Sequence, residues 1–132
     1  MTFLQYMQAN WHTVLDALLS HIQMSFISIV LAILIAVPLG ILITKHEKAA
    51  KVALSVAGVV QTIPGLVMLG IGLLIFGLGL MPAVIVLTAY AILPILQNTY
   101  TGIHNVADFY IEAGRGIGMT GRQILFKIKL PM

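Results

Sequence analysis

The side chains that could carry acid–base or metal chemistry are few in this sequence and lie far apart. The 132 residues include no cysteine, and the carboxylates are Asp16, Glu47, Asp108 and Glu112. The four histidines show no spacing typical of a metal site, and no loop is suited to hold a nucleotide phosphate. We therefore expect no catalytic residue, no metal and no cofactor, and we interpret the chain as a protein that is not an enzyme.

One glycine pattern has the form of a nucleotide-binding fingerprint. Gly116, Gly118 and Gly121 spell G-x-G-x-x-G. That fingerprint requires a strand before it, a helix after it and an acidic residue about twenty positions further on. A long apolar segment precedes these glycines instead, so the pattern does not predict dinucleotide binding.

A second pattern lies in the least hydrophobic long stretch, EAGRGIGMTGRQILFKIKLP. Its skeleton consists of Glu112, Ala113, Gly114, Gly118, Ile128, Leu130 and Pro131. Small residues at the first positions would let the walls of a partner approach the backbone closely. We expect Glu112 to lie near the start of a helix, where the macrodipole favours a carboxylate.

The same stretch has the capping residues of two short helices. Asn105 can cap the first helix, with Asp108 at its third position, and Thr120 with Gln123 forms a capping box that opens the second. Gly116 and Gly118 lie between the two helices and are predicted to be hinge residues.

This pattern resembles the EAA loop of ABC importer permeases. In that family the loop forms two short cytoplasmic helices that dock into a groove on the ATPase subunit. The resemblance implies that the seven skeleton residues, from Glu112 to Pro131, couple the chain to an ATPase. Gly114 replaces the alanine that is usual in the family, which lowers helix propensity without adding bulk.

Composition places the chain in a membrane. It is 60% hydrophobic and 8% charged, with a mean hydropathy of +1.06, values outside the range of soluble domains. All seven basic residues fall within residues 45–51 and 115–129. Because Lys and Arg flanking membrane segments mark the cytoplasmic side, residues 45–51 and 105–132 are predicted to be cytoplasmic and the N-terminus to lie outside.

The apolar pattern predicts an all-α polytopic protein with three transmembrane helices. These cover about residues 22–44, 50–76 and 83–102, which are long enough to cross a bilayer. Residues 1–20 are predicted to form an amphipathic helix on the outer surface, anchored by Trp11; the alternative is a helical lead into the first span. Ser25 and Ser28 could bond across helices, but serines in such spans more often bond to their own helix backbone, which is the expectation here.

Polar residues in the second and third spans suggest a route for a solute. Pro64 interrupts the second span, and helix carbonyls freed at that depth must face protein or water. We hypothesise that the pathway is lined by Gln61, Thr62, Pro64, Tyr90 and Asn98. The alternative for each side chain is interhelix hydrogen bonding, and for the break a packing kink.

Two further runs, VVQTIPGLVMLG and GLGLMPAVIVLTAYAILPILQNTYTGI, resemble the permease subunits of osmoprotectant importers for glycine betaine, carnitine and choline. The resemblance implies a MetI-like permease fold in the cell membrane of a prokaryote. It also implies four kinds of partner: two cytoplasmic ABC ATPase subunits, a second permease subunit that forms a homodimer, an external substrate-binding protein and the lipid bilayer. No nucleic acid is expected.

Two alternatives stay open at this point. The chain could be a permease for another small solute, such as an amino acid, ergothioneine or a bile-related compound. It could also be a non-transporting membrane subunit that recruits the ATPase. In the family the Leu-Pro pair opens a further transmembrane helix, whereas this sequence stops at Met132, so we expect a truncated or split permease.

Overall fold

A computed structural model describes residues 2–132 as a series of helices, and no strand occurs in that range. The helices are α1 Phe3–Ala9, α2 Trp11–Ile43, α3 Glu47–Thr62, α4 Gly65–Phe76, α5 Leu80–His104, α6 Asp108–Gly116 and α7 Gly121–Ile124, and α7 continues as a π-helical turn, Leu125–Lys129. The predicted all-α class is confirmed.

Two helices are long and apolar enough to cross a membrane, α2 with 33 residues and α5 with 25. Helices α3 and α4 pass the same test only as a pair, and the pair is bent by 90° at residues 63–64. The sequence predicted an interruption at this place but not a right-angled turn. Helix α3 ends at Thr62 and α4 begins at Gly65. The break therefore separates two helices and is not a kink within one helix.

The first helix boundary differs from the predicted one. Helix α2 is continuous from Trp11 to Ile43, so no boundary exists near residue 20 or 22. The break lies at Asn10, whose side-chain amide donates to the carbonyl oxygen of Tyr6 at 3.1 Å. A change in hydropathy does not by itself end a helix, and residues 11–37 contain neither glycine nor proline. Residues 11–20 therefore form a helical lead into the apolar part of α2.

Helices α2 and α5 form the main contact of the fold. The face of α2 that meets α5 consists of small residues spaced four apart, all buried: Ser28, Ala32, Ala36 and Gly40. This spacing places them on one side of a helix, and small side chains let helix backbones approach closely in a membrane. Leu96 of α5 packs into a cluster with Ala36, Ile43 and Ala50.

The close approach also permits hydrogen bonds between the two helices. The hydroxyl of Ser28 donates across to the carbonyl oxygen of Val84 at 3.3 Å, and the hydroxyl of Thr88 lies 3.5 Å from the carbonyl oxygen of Ser28 across the interface. Within α5 the Thr88 hydroxyl also donates to the Val84 carbonyl at 2.7 Å. The expectation that Ser28 bonds to its own backbone is therefore wrong, and the alternative, a bond across helices, is the one observed. Ser28 belongs to the small-residue face, and on that face the neighbouring backbone is within reach of a short side chain.

Helix α5 also holds the bent pair. Gly72 of α4 faces the start of α5, where a Cβ on Gly72 would lie 3.3 Å from Val86 Cγ2.

Helix α5 begins at Leu80, three residues before its predicted start, because proline at position 82 is tolerated in the first turn of a helix. Three connecting residues, 105–107, join α5 to α6.

A test of the α2–α5 contact compares two glycines inside helices. A Cβ on Gly40 would lie 2.8 Å from both Cβ and Cγ2 of Thr99, whereas a Cβ on Gly58 would meet nothing within 4 Å. We expect Gly40→Ala to destabilise the protein by about 1–3 kcal/mol through overpacking and Gly58→Ala to stabilise it by up to about 1 kcal/mol. Thermal unfolding in detergent measures both; a Gly40→Ala variant as stable as Gly58→Ala would contradict the described packing.

Candidate functional site

Two regions contain the residues singled out in the sequence. One is the pair of short helices at residues 108–129, hereafter the hairpin. The other is the bend between α3 and α4 together with the facing part of α5, hereafter the proline break. Among residues 2–132 no group of three or more His, Cys, Asp or Glu side chains could hold a metal ion.

The start of the hairpin differs from the prediction. Ala107 is the N-cap of α6 and makes no side-chain cap bond. Asn105 instead ends α5, because its backbone N–H donates to the carbonyl oxygen of Thr101 at 2.9 Å. Asp108 is the first residue of α6 and Glu112 lies in its middle. Asp108, not Glu112, is thus the carboxylate placed to interact with the helix N-terminus.

Gly118 makes the turn between α6 and α7. Its φ of +82° lies in the left-handed region that favours glycine. Its N–H donates to the carbonyl oxygen of Arg115 at 2.9 Å, and that of Met119 donates to Gly114 at 3.0 Å. These two bonds are those of a Schellman motif, which satisfies the last carbonyls of a helix. Gly118 is therefore a turn residue as predicted, whereas Gly116 is the last residue of α6.

The predicted capping box of the second short helix is confirmed. The backbone N–H of Thr120 donates to Gln123 Oε1 at 2.7 Å, and the N–H of Gln123 donates to Thr120 Oγ1 at 3.4 Å. After Ile124 the chain widens into the π-helical turn, closed by a bond from Leu130 N–H to the carbonyl oxygen of Leu125 at 2.9 Å. The sequence did not predict this turn.

The small residue at position 114 has a different neighbour from the expected one. Gly114 is buried, and a Cβ there would lie 2.8 Å from Ile128 Cδ1 and 3.4 Å from Ile124 Cγ1. The residues that approach its backbone therefore belong to the second half of the same hairpin. The interpretation of Gly114 as an opening for a partner's walls is wrong, because Ile128 already occupies that place.

The seven skeleton residues thus divide into two groups. Gly114 and Ile128 face each other inside the hairpin. The other five are exposed: Glu112, Ala113, Gly118, Leu130 and Pro131. Ile117, which the sequence analysis did not single out, is 81% exposed at the tip.

The proline break is held by a pair of hydrogen bonds between α5 and the end of α3. The hydroxyl of Tyr90 donates to the carbonyl oxygen of Ile63, which directly precedes Pro64. The side-chain amide of Gln61 donates to the carbonyl oxygen of Tyr90 at 3.0 Å. In a regular helix that carbonyl would accept from residue 94, but Pro94 has no N–H. Gln61 therefore supplies the donor that Pro94 lacks.

Thr62 and Asn98 are placed differently. The hydroxyl of Thr62 donates to the carbonyl oxygen of Val59 in its own helix at 2.7 Å. In a continuing helix the Val59 carbonyl would accept from the N–H of Ile63, but that N–H donates to the Val60 carbonyl instead. The Thr62 hydroxyl therefore replaces the missing donor. Asn98 is exposed and lies about 12 Å along α5 from Tyr90. The structure thus brings together Gln61, Pro64 and Tyr90, and leaves Asn98 two turns away.

The role of Pro94 was visible in the sequence but was missed. A proline four residues after any helical residue leaves that residue's carbonyl without its usual donor. The spacing of Tyr90 and Pro94 therefore predicts a carbonyl that needs a side-chain donor. The same reasoning did not identify the bond from Ser28 to Val84, which depends on the distance between two helices.

These features agree with a comparison to known protein families. A family model described as the binding-protein-dependent transport system inner membrane component matches residues 28–132. The chain belongs to this family. The match covers α3 to α5, the hairpin and the part of α2 from Ser28 to Ile43. It confirms the predicted resemblance and the MetI-like permease fold, and it places the chain among prokaryotic membrane proteins that serve transport.

Curated relatives of the family are similar along almost the whole chain. The choline transport system permease protein OpuBB of Bacillus subtilis is 38% identical over 128 residues, 97% of this chain and 59% of its own length. The carnitine transport permease protein OpuCB of Listeria monocytogenes is 40% identical over 126 residues, 96% and 58%. The glycine betaine/carnitine/choline permease protein OpuCB of B. subtilis is 40% identical over 132 residues, 100% and 59%. The chain therefore spans a little under three fifths of these relatives.

A double-mutant cycle tests the hydrogen-bonding role of Gln61. In the wild-type background Gln61→Leu leaves the Tyr90 carbonyl without a donor, and we expect a loss of about 1–3 kcal/mol in the free energy of unfolding. In a Pro94→Ala background the restored main-chain N–H can reach that carbonyl, so the cost of Gln61→Leu should become smaller. Denaturant unfolding in detergent measures the four variants. An equal cost in both backgrounds would contradict the assignment.

Proposed function

We propose that the chain forms part of the membrane permease of an ABC importer for quaternary ammonium osmoprotectants such as glycine betaine, carnitine and choline. The observation that carries this proposal is the hairpin, a closed two-helix unit joined to a membrane helix, found in a chain whose relatives are named for these three solutes. In this proposal the chain binds no nucleotide, and a partner hydrolyses the ATP.

The hairpin is suited to transmit force because it is internally fixed. The Schellman turn at Gly118, the capping box at Thr120 and the contact between Gly114 and Ile128 hold its two halves together. Only residues 105–107 separate it from α5. A displacement of the hairpin would therefore move the inner end of α5, and with it the helices that α5 contacts.

The exposed side of the hairpin is the proposed ATPase contact. Glu112 and Ala113 would face the groove of the ATPase, with Ile117 and Gly118 at the tip and Leu130 and Pro131 at the far end. The proposed complex contains two ATPase subunits, a second copy of the permease and an external substrate-binding protein. Residues 45–51 and 105–132 would be cytoplasmic, with the N-terminus outside, because all basic residues lie in those two segments.

The proline break is the proposed part of the solute route. A quaternary ammonium group has no N–H to donate, so it is recognised by aromatic faces. Tyr90 offers such a ring next to the bend, and its hydroxyl is already bound to a backbone carbonyl. Gln61, Thr62 and Pro64 would shape the route at the bend, and Asn98 would line it further along α5.

The coupling proposal predicts variants that still hydrolyse ATP but do not transport. Gly118→Val forces a β-branched residue into the left-handed region, and Glu112→Lys reverses the charge of the contact face. We expect both to uncouple hydrolysis from uptake at unchanged membrane levels. Gly121→Ala is the matched control, because its φ is not positive and a Cβ there meets nothing within 4 Å. Wild-type uptake in both variants at equal expression would contradict the proposal.

The substrate proposal is tested by uptake competition. Cells expressing the complete importer are supplied with labelled glycine betaine and an excess of unlabelled choline, carnitine or a neutral amino acid. We expect the quaternary ammonium compounds to reduce labelled uptake and the amino acid to leave it unchanged. Inhibition by the amino acid alone would contradict the osmoprotectant assignment and favour the other solute class.

A further inference from the structure

A cleft of about 630 Å³ lies between the hairpin and the ends of α2 and α5. Four basic side chains line it: Lys45, Arg115, Arg122 and Lys129. Each comes from a different element, in order the turn after α2, α6, α7 and the π-helical turn. Apolar side chains also line the cleft: Ile41 near the end of α2, Ile103 near the end of α5, and Ile111, Met119, Ile124 and Leu125 of the hairpin.

The charge of this cleft is one-sided. Four of the chain's seven basic residues line it, and no Asp or Glu within residues 2–132 is among its lining residues. Like charges that converge on one cavity repel each other unless an anion lies between them. The general preference for cytoplasmic Lys and Arg does not explain the convergence, because Lys48 and Lys51 satisfy it without facing the cleft.

The position of the cleft indicates which anion it would take. Two of its apolar residues, Ile41 and Ile103, belong to the last turns of the two long apolar helices, and its four basic residues belong to the segments beyond those helices. Apolar helix ends next to cationic segments match the boundary between acyl chains and phosphate in a phospholipid. Basic pockets between membrane helices on the cytoplasmic side bind anionic headgroups in this way.

We propose that this cleft binds the headgroup phosphate of an anionic phospholipid of the cytoplasmic leaflet. Lys45, Arg115, Arg122 and Lys129 hold the phosphate, and the lipid chains lie over Ile41 and Ile103. The bound lipid joins the hairpin to the membrane helices through charge. The inference rests on the proposed cytoplasmic side of the hairpin, but it is independent of the solute and of the ATPase.

Lipid retention by the purified protein tests the proposal. The protein is expressed from its complete reading frame, purified in detergent and titrated with phosphatidylglycerol or phosphatidylcholine, and bound lipid is counted by native mass spectrometry. The variants are Lys45→Gln with Arg122→Gln, and the conservative pair Lys45→Arg with Arg122→Lys. The matched control is Lys48→Gln with Lys51→Gln, which removes two charges from the same face outside the cleft. Inorganic phosphate is the competitor.

We expect the wild type to retain phosphatidylglycerol over phosphatidylcholine. The glutamine pair in the cleft should weaken phosphatidylglycerol binding by roughly tenfold or more, and the conservative pair and the control should keep it. Equal binding of the two lipids, or unchanged binding in the glutamine pair, overturns the proposal. Full displacement of the lipid by millimolar inorganic phosphate also overturns it, because the cleft would then be a site for free phosphate.

Two further results keep the test decisive. If the glutamine pair does not fold, the salt dependence of wild-type binding replaces it: the proposal requires that phosphatidylglycerol, and not phosphatidylcholine, is released as salt increases. If the glutamine pair loses a co-purifying ATPase while lipid binding is unchanged, the cleft is a protein-docking surface and the lipid proposal is overturned. Neither readout depends on uptake, so failure of the lipid proposal is distinguishable from failure of the proposed transport function.

Discussion

The close contact between α2 and α5 is the interaction on which the other elements depend. Four small buried residues on α2, spaced four apart, let α5 approach until Ser28 reaches its backbone and Gly40 meets Thr99. In a membrane the hydrophobic effect does not drive helices together, so contact of this kind rests on packing and hydrogen bonds. Helix α5 then contacts both halves of the bent pair and leads directly into the hairpin.

The proline break shows how the backbone carbonyls of an interrupted membrane helix find hydrogen-bond donors. Two prolines, Pro64 and Pro94, each remove a backbone donor, and Tyr90 and Gln61 donate to two of the carbonyls near them. An unpaired backbone group in hydrocarbon costs several kcal/mol, so this exchange is part of what holds the bend against α5. The same side chains are those proposed for the solute route. A movement of α5 would therefore act on the route through existing hydrogen bonds.

Local signals in the sequence were sufficient for much of the fold. Hydropathy identified the apolar segments, and residue chemistry identified the Thr120 capping box and the turn at Gly118. The errors arose where tertiary distance decided the outcome. Asn105 has the right chemistry for a helix N-cap, yet the hydrogen bonding of α5 continues to it. Gly114 was assigned to a partner's approach because the sequence does not show that Ile128 folds back onto it. The 90° bend and the cationic cleft likewise depend on how helices are placed.

The central claim is that the exposed tip of the hairpin contacts an ATPase in the cytoplasm. The sequence contains no cysteine, so an introduced cysteine is the only thiol within these 132 residues. The measurement is photo-crosslinking in membrane vesicles from a benzophenone attached to Ile117→Cys, with Leu78→Cys, a residue that is 94% exposed beyond α4, as the control. The account predicts a crosslink to the ATPase subunit from position 117 and none from position 78. No crosslink from position 117 in an importer that is active, or a crosslink from position 78 alone, would contradict it.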